Sequence, residues 1–379
     1  MRTYPAWQKK SGIALCAFAL AFVGIELILR LFGFRINTPQ ETANLPIFRP
    51  NASYTNVGVA GRPNEYQVKV KNNSYHFNDV EHTKDKPKDT IRILIIGDSF
   101  VNGNQVSLEQ TFFRRLEKKL NDQSQTKRYE VISLGDHGAG PLNYWNAMLT
   151  PGLSFDPDII LVEFLPENDV TSTVDSLKQK WVAWEKTAIQ KTILMSPSTP
   201  AWVYKSRFLS LLLYAFDQFR AKETLDAVPL DKRIDPDWFV YCKRPLWHDL
   251  WKAAWDTTES AYQGMKEEAK KRDIDFYVVT FTSTFEIDAY NGKNTLPTIL
   301  SPYDCNGQLP NQRFDALAKK LNLHYLNLNP IFARREQETG KNPHYPFDRH
   351  WNEIGHTWTA QEIMKAFGKE MINHKRGAL

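Results

Sequence analysis

Apolar positions along this chain fall into short unbroken runs separated by longer amphipathic stretches. The clearest run is Ile93-Leu94-Ile95-Ile96. It has no polar alternation, so it predicts a strand buried on both faces, as in parallel α/β sheets. Further strands are predicted at 129–134, 158–165, 275–282 and 325–328. Helices are expected at about 110–120, 250–271, 313–321 and 353–367. Strand and helix in alternation, joined by right-handed crossovers, give an α/β, doubly wound, flavodoxin-like sheet of five parallel strands. The alternation breaks after Asp169. Residues 171–250 form an insertion with several Trp and Tyr, a polar loop at Ser196–Pro200 and an apolar helix near Phe208–Phe219. It is read either as a helical cover for the sheet or as a lid whose aromatics stack on a sugar ring.

The N-terminus follows another pattern. Ile13 to Ile25 carries no charge, and Glu26 and Arg30 interrupt the run before Leu31-Phe32-Gly33-Phe34 completes it. At a rise of about 1.5 Å per residue, Ser11 to Phe34 is long enough to cross ~30 Å of hydrocarbon. Glu26 and Arg30 are four apart and can pair on one helix face. The expectation is an uncleaved signal anchor. The rival is a cleaved signal peptide. Ala17-Phe18-Ala19 and Ala19-Leu20-Ala21 fit a small-x-small site, but they lie inside the apolar run with no polar stretch before the cut. Arg2, Lys9 and Lys10 place the short end in the cytoplasm and the rest in the periplasm or beyond. The division is then a cytoplasmic tail at 1–10, a transmembrane anchor at 11–34, an extended β-containing lead-in at 35–90 and the catalytic domain at 91–372.

Composition adds limits. Of 379 residues, 42% are hydrophobic and 24% charged, as in an ordinary globular protein. The net charge of +5 is spread without a long Lys/Arg run, which argues against a nucleic-acid partner. Cys16 lies in the anchor, while Cys242 and Cys305 lie in the exported part. An oxidising compartment leaves their pairing open. No Cys/His spacing suits a structural zinc, and no metal or organic cofactor is implied.

The candidate chemistry sits at strand ends. Ser99, in Gly97-Asp98-Ser99-Phe100, follows the first sheet strand, where ligands bind in open α/β sheets. Asp348 and His350 stand two apart before the last helix. The acid can fix the ring tautomer, and the ring can take the proton of a serine. Helix capping would explain Asn352 but neither Asp348 nor His350. His356, on the first turn of that helix, is read as a packing or capping residue. Two further strands run into Gly135-Asp136-His137-Gly138-Ala139-Gly140 and Pro166-Glu167-Asn168-Asp169. A glycine N–H and an asparagine amide suit an oxyanion. A plain glycine turn and an Asn-Asp turn are the ordinary readings of the same residues.

With these four blocks the chain resembles the SGNH, or GDSL, hydrolase superfamily. Gly97-Asp98-Ser99 matches the first block with Ser99 as nucleophile, and Gly138 falls on the oxyanion glycine of the second. Asn168 matches the third, with its usual glycine lost. The fourth is most often Asp-x-x-His, and here it is Asp348-x-His350. That spacing, the Trp-Asn-x-x-Gly-His after it and Lys71-Asn72-Asn73-Ser74-Tyr75 resemble a membrane-anchored bacterial subgroup. The resemblance covers roughly residues 70–370. It implies the SGNH fold, catalytic Ser99, His350 and Asp348, and an oxyanion hole of Ser99, Gly138 and Asn168.

The resulting expectation is an extracytoplasmic esterase acting on acyl, above all acetyl, groups of a small molecule or envelope polysaccharide. The alternative is an O-acetyltransferase using the same triad, with a membrane partner supplying acyl groups. The third reading is a non-catalytic glycan-binding module.

Overall fold

The computed structural model describes residues 6–42, 45–180, 182, 199–224 and 235–374. Two short strands, β1 (Ser53–Asn56) and β2 (Val68–Lys71), form an antiparallel pair in the lead-in. The main sheet holds β3 (Thr90–Gly97), β4 (Arg128–Gly135), β5 (Ile159–Phe164), β6 (Asp275–Thr280) and β7 (His324–Asn327) in the order β4-β3-β5-β6-β7, every pair parallel. This is the doubly wound, flavodoxin-like order, with its switch point at β3.

Every residue of β3 and β5 is buried. The missing alternation has a simple cause, since both faces are covered. Leu94 and Ile96 pack with Tyr144, Met148, Trp251, Tyr262 and Phe314. Ile91, Ile93 and Ile95 pack on the other side with Phe112, Leu116, Ile363 and Phe367. The first layer comes from helices Pro141–Leu149, His248–Lys271 and Leu309–Lys320. The second comes from helices Phe112–Gln123 and Glu353–Ile372.

Boundaries shift from the expectation by a few residues. The fourth sheet strand ends at Thr280 rather than 282, and the fifth begins at His324. The helix expected at 313–321 starts at Leu309, because Pro310 fits a first turn whose N–H groups lack helical partners anyway. The last helix continues to Ile372, beyond the expected 367.

Between β5 and the long helix His248–Lys271, the described part of the insertion holds helices Ala201–Lys205 and Arg207–Thr224 and a tight turn at Pro236–Tyr241. Residues 196–198 of the expected polar loop, and residues 1–5 of the tail, lie outside the described residues. Cys242 and Cys305 are joined as a disulfide, and Cys16 is free and exposed. Helix Ala6–Leu31 contains one stretch, Ile13–Leu31, long and apolar enough to cross a membrane.

Candidate active site

Ser99 stands where β3 ends. Gly97 must be glycine there, because a Cβ would come within 2.3 Å of the Glu163 carboxyl carbon. Asp98 then caps the short helix Ser99–Asn102, its Oδ1 accepting the Phe100 N–H at 2.7 Å. The turn leaves Ser99 only 8% exposed. Its Oγ lies 2.7 Å from His350 Nε2, within reach of direct proton transfer.

The short spacing between acid and imidazole is made to work by the residue between them. Arg349 has φ +67°, a left-handed conformation unusual for a side chain with a Cβ. It folds the loop so that the Asp348 carboxylate bonds His350 Nδ1. Tyr345 holds the turn from both ends. Its carbonyl accepts the Arg349 N–H at 2.9 Å, and its N–H donates to the His350 carbonyl at 2.9 Å. The Arg349 guanidinium lies 3.7 Å from Glu167 and sits over the Phe285 ring at 5.0 Å. The imidazole also leans on Phe100, the residue after Ser99, with ring centroids 4.7 Å apart.

The electrostatics favour an ion-pair-like couple. Burial opposes charge on His350, but the adjacent Asp348 carboxylate outweighs it and raises the imidazole pKa. Burial likewise opposes charge on Asp348, yet His350 and the Tyr66 hydroxyl hold that carboxyl below its usual value. Tyr66 donates to Asp348 Oδ2. Glu65 accepts the N–H groups of Phe347 and Asp348 at 2.9 and 2.8 Å.

Gly138 has φ +67° and is exposed in the loop after β4. The N–H groups of Ser99 and Gly138 find no acceptor among the described residues. The Asn168 amide donates to Asp98 Oδ2 at 3.1 Å, which fixes its plane and leaves its second hydrogen free to point elsewhere. The structure thus joins Ser99, His350 and Asp348 in one hydrogen-bonded row and ties Asn168 to the Ser99 loop through Asp98. No hydrogen bond joins Gly138 to them. His356 is buried, accepts the Phe112 N–H at 3.2 Å on Nδ1 and stacks on the Phe112 ring, which is a packing position. Burial holds its pKa down to about 3.

Behind Ser99 lie three buried carboxyls the sequence reading did not single out: Asp98, Glu163 and Asp169, whose oxygens come within 4.8 Å of one another. Such a set could offer ligand atoms to a cation. Its oxygens are instead largely engaged by the chain itself. Tyr144 lies 2.9 Å from Glu163 Oε1 and 2.7 Å from Asp169 Oδ1. One phenol carries one proton, so it can donate to only one of them, and the other acid must carry a proton of its own. Burial and nearby Asp98 push both carboxyls well up, in keeping with that proton.

A cavity of ≈ 350 Å³ opens beside Asp348 and His350. Its walls include Phe48, Asn56, Tyr66, Asn104 and His137. None of its lining residues comes from the described part of 171–250, while Phe48, Asn56 and Tyr66 come from the lead-in. His137 accepts the Asn104 amide at 3.0 Å, and burial, helped by His350, lowers its pKa to about 4. Tyr66 and Glu65 were missed from sequence because nothing local marks a partner 282 residues away.

No family model matches the chain, and no curated protein does. Among solved structures it is similar to a two-domain esterase active on acetylated mannans, at 12% identity, covering 76% of this chain and 52% of that one with a TM-score of 0.40. The chain spans about half the length of that protein. An acetyl xylan esterase is similar at 16% identity, with 73% and 99% covered and a TM-score of 0.39. A lipolytic protein of the G-D-S-L family from Veillonella parvula is similar at 10% identity, with 74% and 99% covered and a TM-score of 0.39. At identities of 10–16% the roles of Ser99, His350 and Asp348 have to be judged from this chain's own geometry. In the order of its four blocks and in its wound parallel sheet, the chain resembles the SGNH, or GDSL, hydrolases.

Proposed function

We propose that the protein is a membrane-anchored, extracytoplasmic serine esterase that removes acyl groups, above all acetyl, from a small molecule or envelope glycan. The observation that carries this reading is the row Asp348–His350–Ser99, with His350 Nε2 2.7 Å from the hydroxyl. His350 takes the Ser99 proton as the oxygen attacks the ester carbonyl. Asp348 keeps the ring oriented and stabilises the imidazolium that forms. The free N–H groups of Ser99 and Gly138 and the second hydrogen of the Asn168 amide hold the oxyanion. His350 then returns the proton to the leaving alcohol, and a water deprotonated by the same ring releases the acid from Ser99.

The anchor at 11–34, with 1–10 in the cytoplasm, the lead-in at 35–90 and the domain at 91–372 belong to this reading. So does the absence of a nucleic-acid partner. A transferase is the second reading, in which a sugar hydroxyl replaces the water. One feature favours it: the cavity beside His350 is lined by Phe48, 56% exposed, a ring suited to a sugar face. A transferase of this kind would draw acyl groups from a membrane partner. A glycan-binding module without catalysis is the third reading, disfavoured by the intact proton path.

The test is to give the full chain an acetyl ester with and without a soluble glycan acceptor. Free acetate in both cases supports hydrolysis. Acetyl on the glycan supports transfer. No consumption of ester by folded protein leaves only the binding module.

A further inference from the structure

Four cations line one cavity of ≈ 620 Å³ at the end of the N-terminal helix: Arg30, Arg35, Lys205 and Arg207. Glu41 is the one carboxylate in its lining among the described residues, with Glu26 beside it. Both are already used. Arg35 gives Nη1 to Glu41 at 2.6 Å, and its Nη2 is buried with no partner among the described residues. Glu26 takes Arg30 Nε at 2.7 Å, the Ser206 hydroxyl at 3.0 Å and the N–H groups of Arg207 and Phe208 at 3.1 and 2.9 Å. The side chains of Lys205 and Arg207 meet no acceptor among the described residues. Positive charge therefore exceeds negative charge in this cavity. Burial, and then Arg30 and Arg35, lower the Arg207 pKa, a sign that the cations crowd one another.

Position says which anion fits. Arg30 is the penultimate residue of Ile13–Leu31, the stretch able to cross a membrane. Helix Arg207–Thr224 is fastened to that stretch by the Glu26 contacts and by the Phe22 and Phe208 rings, 5.1 Å apart. It then exposes Leu212 (48%), Phe216 (47%) and Phe219 (68%), an i, i+4, i+7 stripe. Trp202, the neighbour in sequence of the lining residue Ala201, is 62% exposed. An apolar stripe, an exposed indole and surplus guanidinium groups at the end of a helix able to cross a membrane suit a surface resting on headgroups and upper acyl chains.

We propose that this cavity binds the phosphate of an anionic phospholipid headgroup. Arg207 offers a planar donor fork that matches a phosphate, Arg35 adds its unpartnered Nη2, and Arg30 and Lys205 add charge. The helix stripe lies in the apolar layer beside it. The inference rests on the anchored part of the reading above and not on the serine chemistry.

The experiment uses the full chain in a neutral detergent. Native mass spectrometry measures retention of phosphatidylglycerol, of phosphatidylcholine with the same acyl chains, and of inorganic phosphate. The expected result is preference for phosphatidylglycerol by about tenfold or more, and loss of that preference in Arg35→Gln/Arg207→Gln. Ester turnover in detergent should stay unchanged. Lys205→Gln, at an exposed side chain, gives a weaker loss and serves if the double variant does not fold. Equal retention of the two lipids, or unaltered retention in the variants, overturns the site. Inorganic phosphate displacing the lipid at equal concentration overturns the lipid as its source. Release of the full chain from membranes by alkaline carbonate would overturn the anchor alone, since the detergent measurement does not depend on it.

Discussion

The Tyr66 hydroxyl donates to Asp348 Oδ2, joining the lead-in to the acid that orients His350 across 282 residues. Each Asp348 oxygen thus has a dedicated partner, His350 on Oδ1 and Tyr66 on Oδ2. The carboxylate cannot rotate without losing both.

Tyr66→Phe should therefore loosen the orientation of Asp348 and His350 without removing the base. A charge-assisted hydrogen bond contributes about 1.5–3 kcal/mol, so a fall in kcat/KM of roughly ten- to hundredfold is expected. With one donor lost, negative charge on Asp348 is less spread and holds the imidazolium more firmly. The acid limb of the kcat/KM profile should move to higher pH. A profile that superimposes on wild type contradicts this role for Tyr66.

The wild-type profile has its own sign. His350 must be neutral to accept a proton, and Asp348 overcomes burial to raise its pKa above the ordinary 6.5. Activity should be full above that raised value and fall as pH drops through it. Asp348→Asn should lower the limb and cost on the order of 10⁴ in kcat, as in other triads. A wild-type limb clearly below 6.5 would count against the pair.

Asn168→Ala tests the proposed oxyanion donors. Loss of one preorganised donor costs on the order of 10²–10³ in kcat, with KM little changed. A loss of only a few-fold would move the donor elsewhere.

Much of this site was legible because it depends on local pattern. The unbroken run Ile93–Ile96 betrays burial on both faces of β3, and Ser99 follows directly from it. Glu26 and Arg30 pair as their spacing suggests. The left-handed turn at Arg349 was not legible, since that conformation gives no signal in an arginine, and it is what makes a one-residue gap between Asp348 and His350 workable. The contributions of Glu65 and Tyr66 arise from packing between distant segments. For the same reason the lead-in's place in the cavity lining carries no mark in the sequence. The cation cavity combines residues 30–41 with 201–207, which no spacing rule connects.

The Cys242–Cys305 bridge closes a loop with a sequence separation of 63. Limiting the unfolded chain by such a loop contributes up to about 4 kcal/mol. Cys242→Ser/Cys305→Ser should lower the melting temperature by roughly 5–10 °C. Turnover of the folded variant should be unaffected, because neither sulfur touches Ser99, His350 or Asp348. A melting curve insensitive to reduction contradicts the stabilising role.

The most direct measurement is the intact mass and peptide map of the full chain after brief exposure to a short-chain acetyl ester. The account predicts one added acetyl group on the peptide holding Ser99, none in Ser99→Ala, and turnover in that variant reduced by several orders of magnitude. Undiminished turnover in folded Ser99→Ala, or an acetyl group on a different residue, would contradict it.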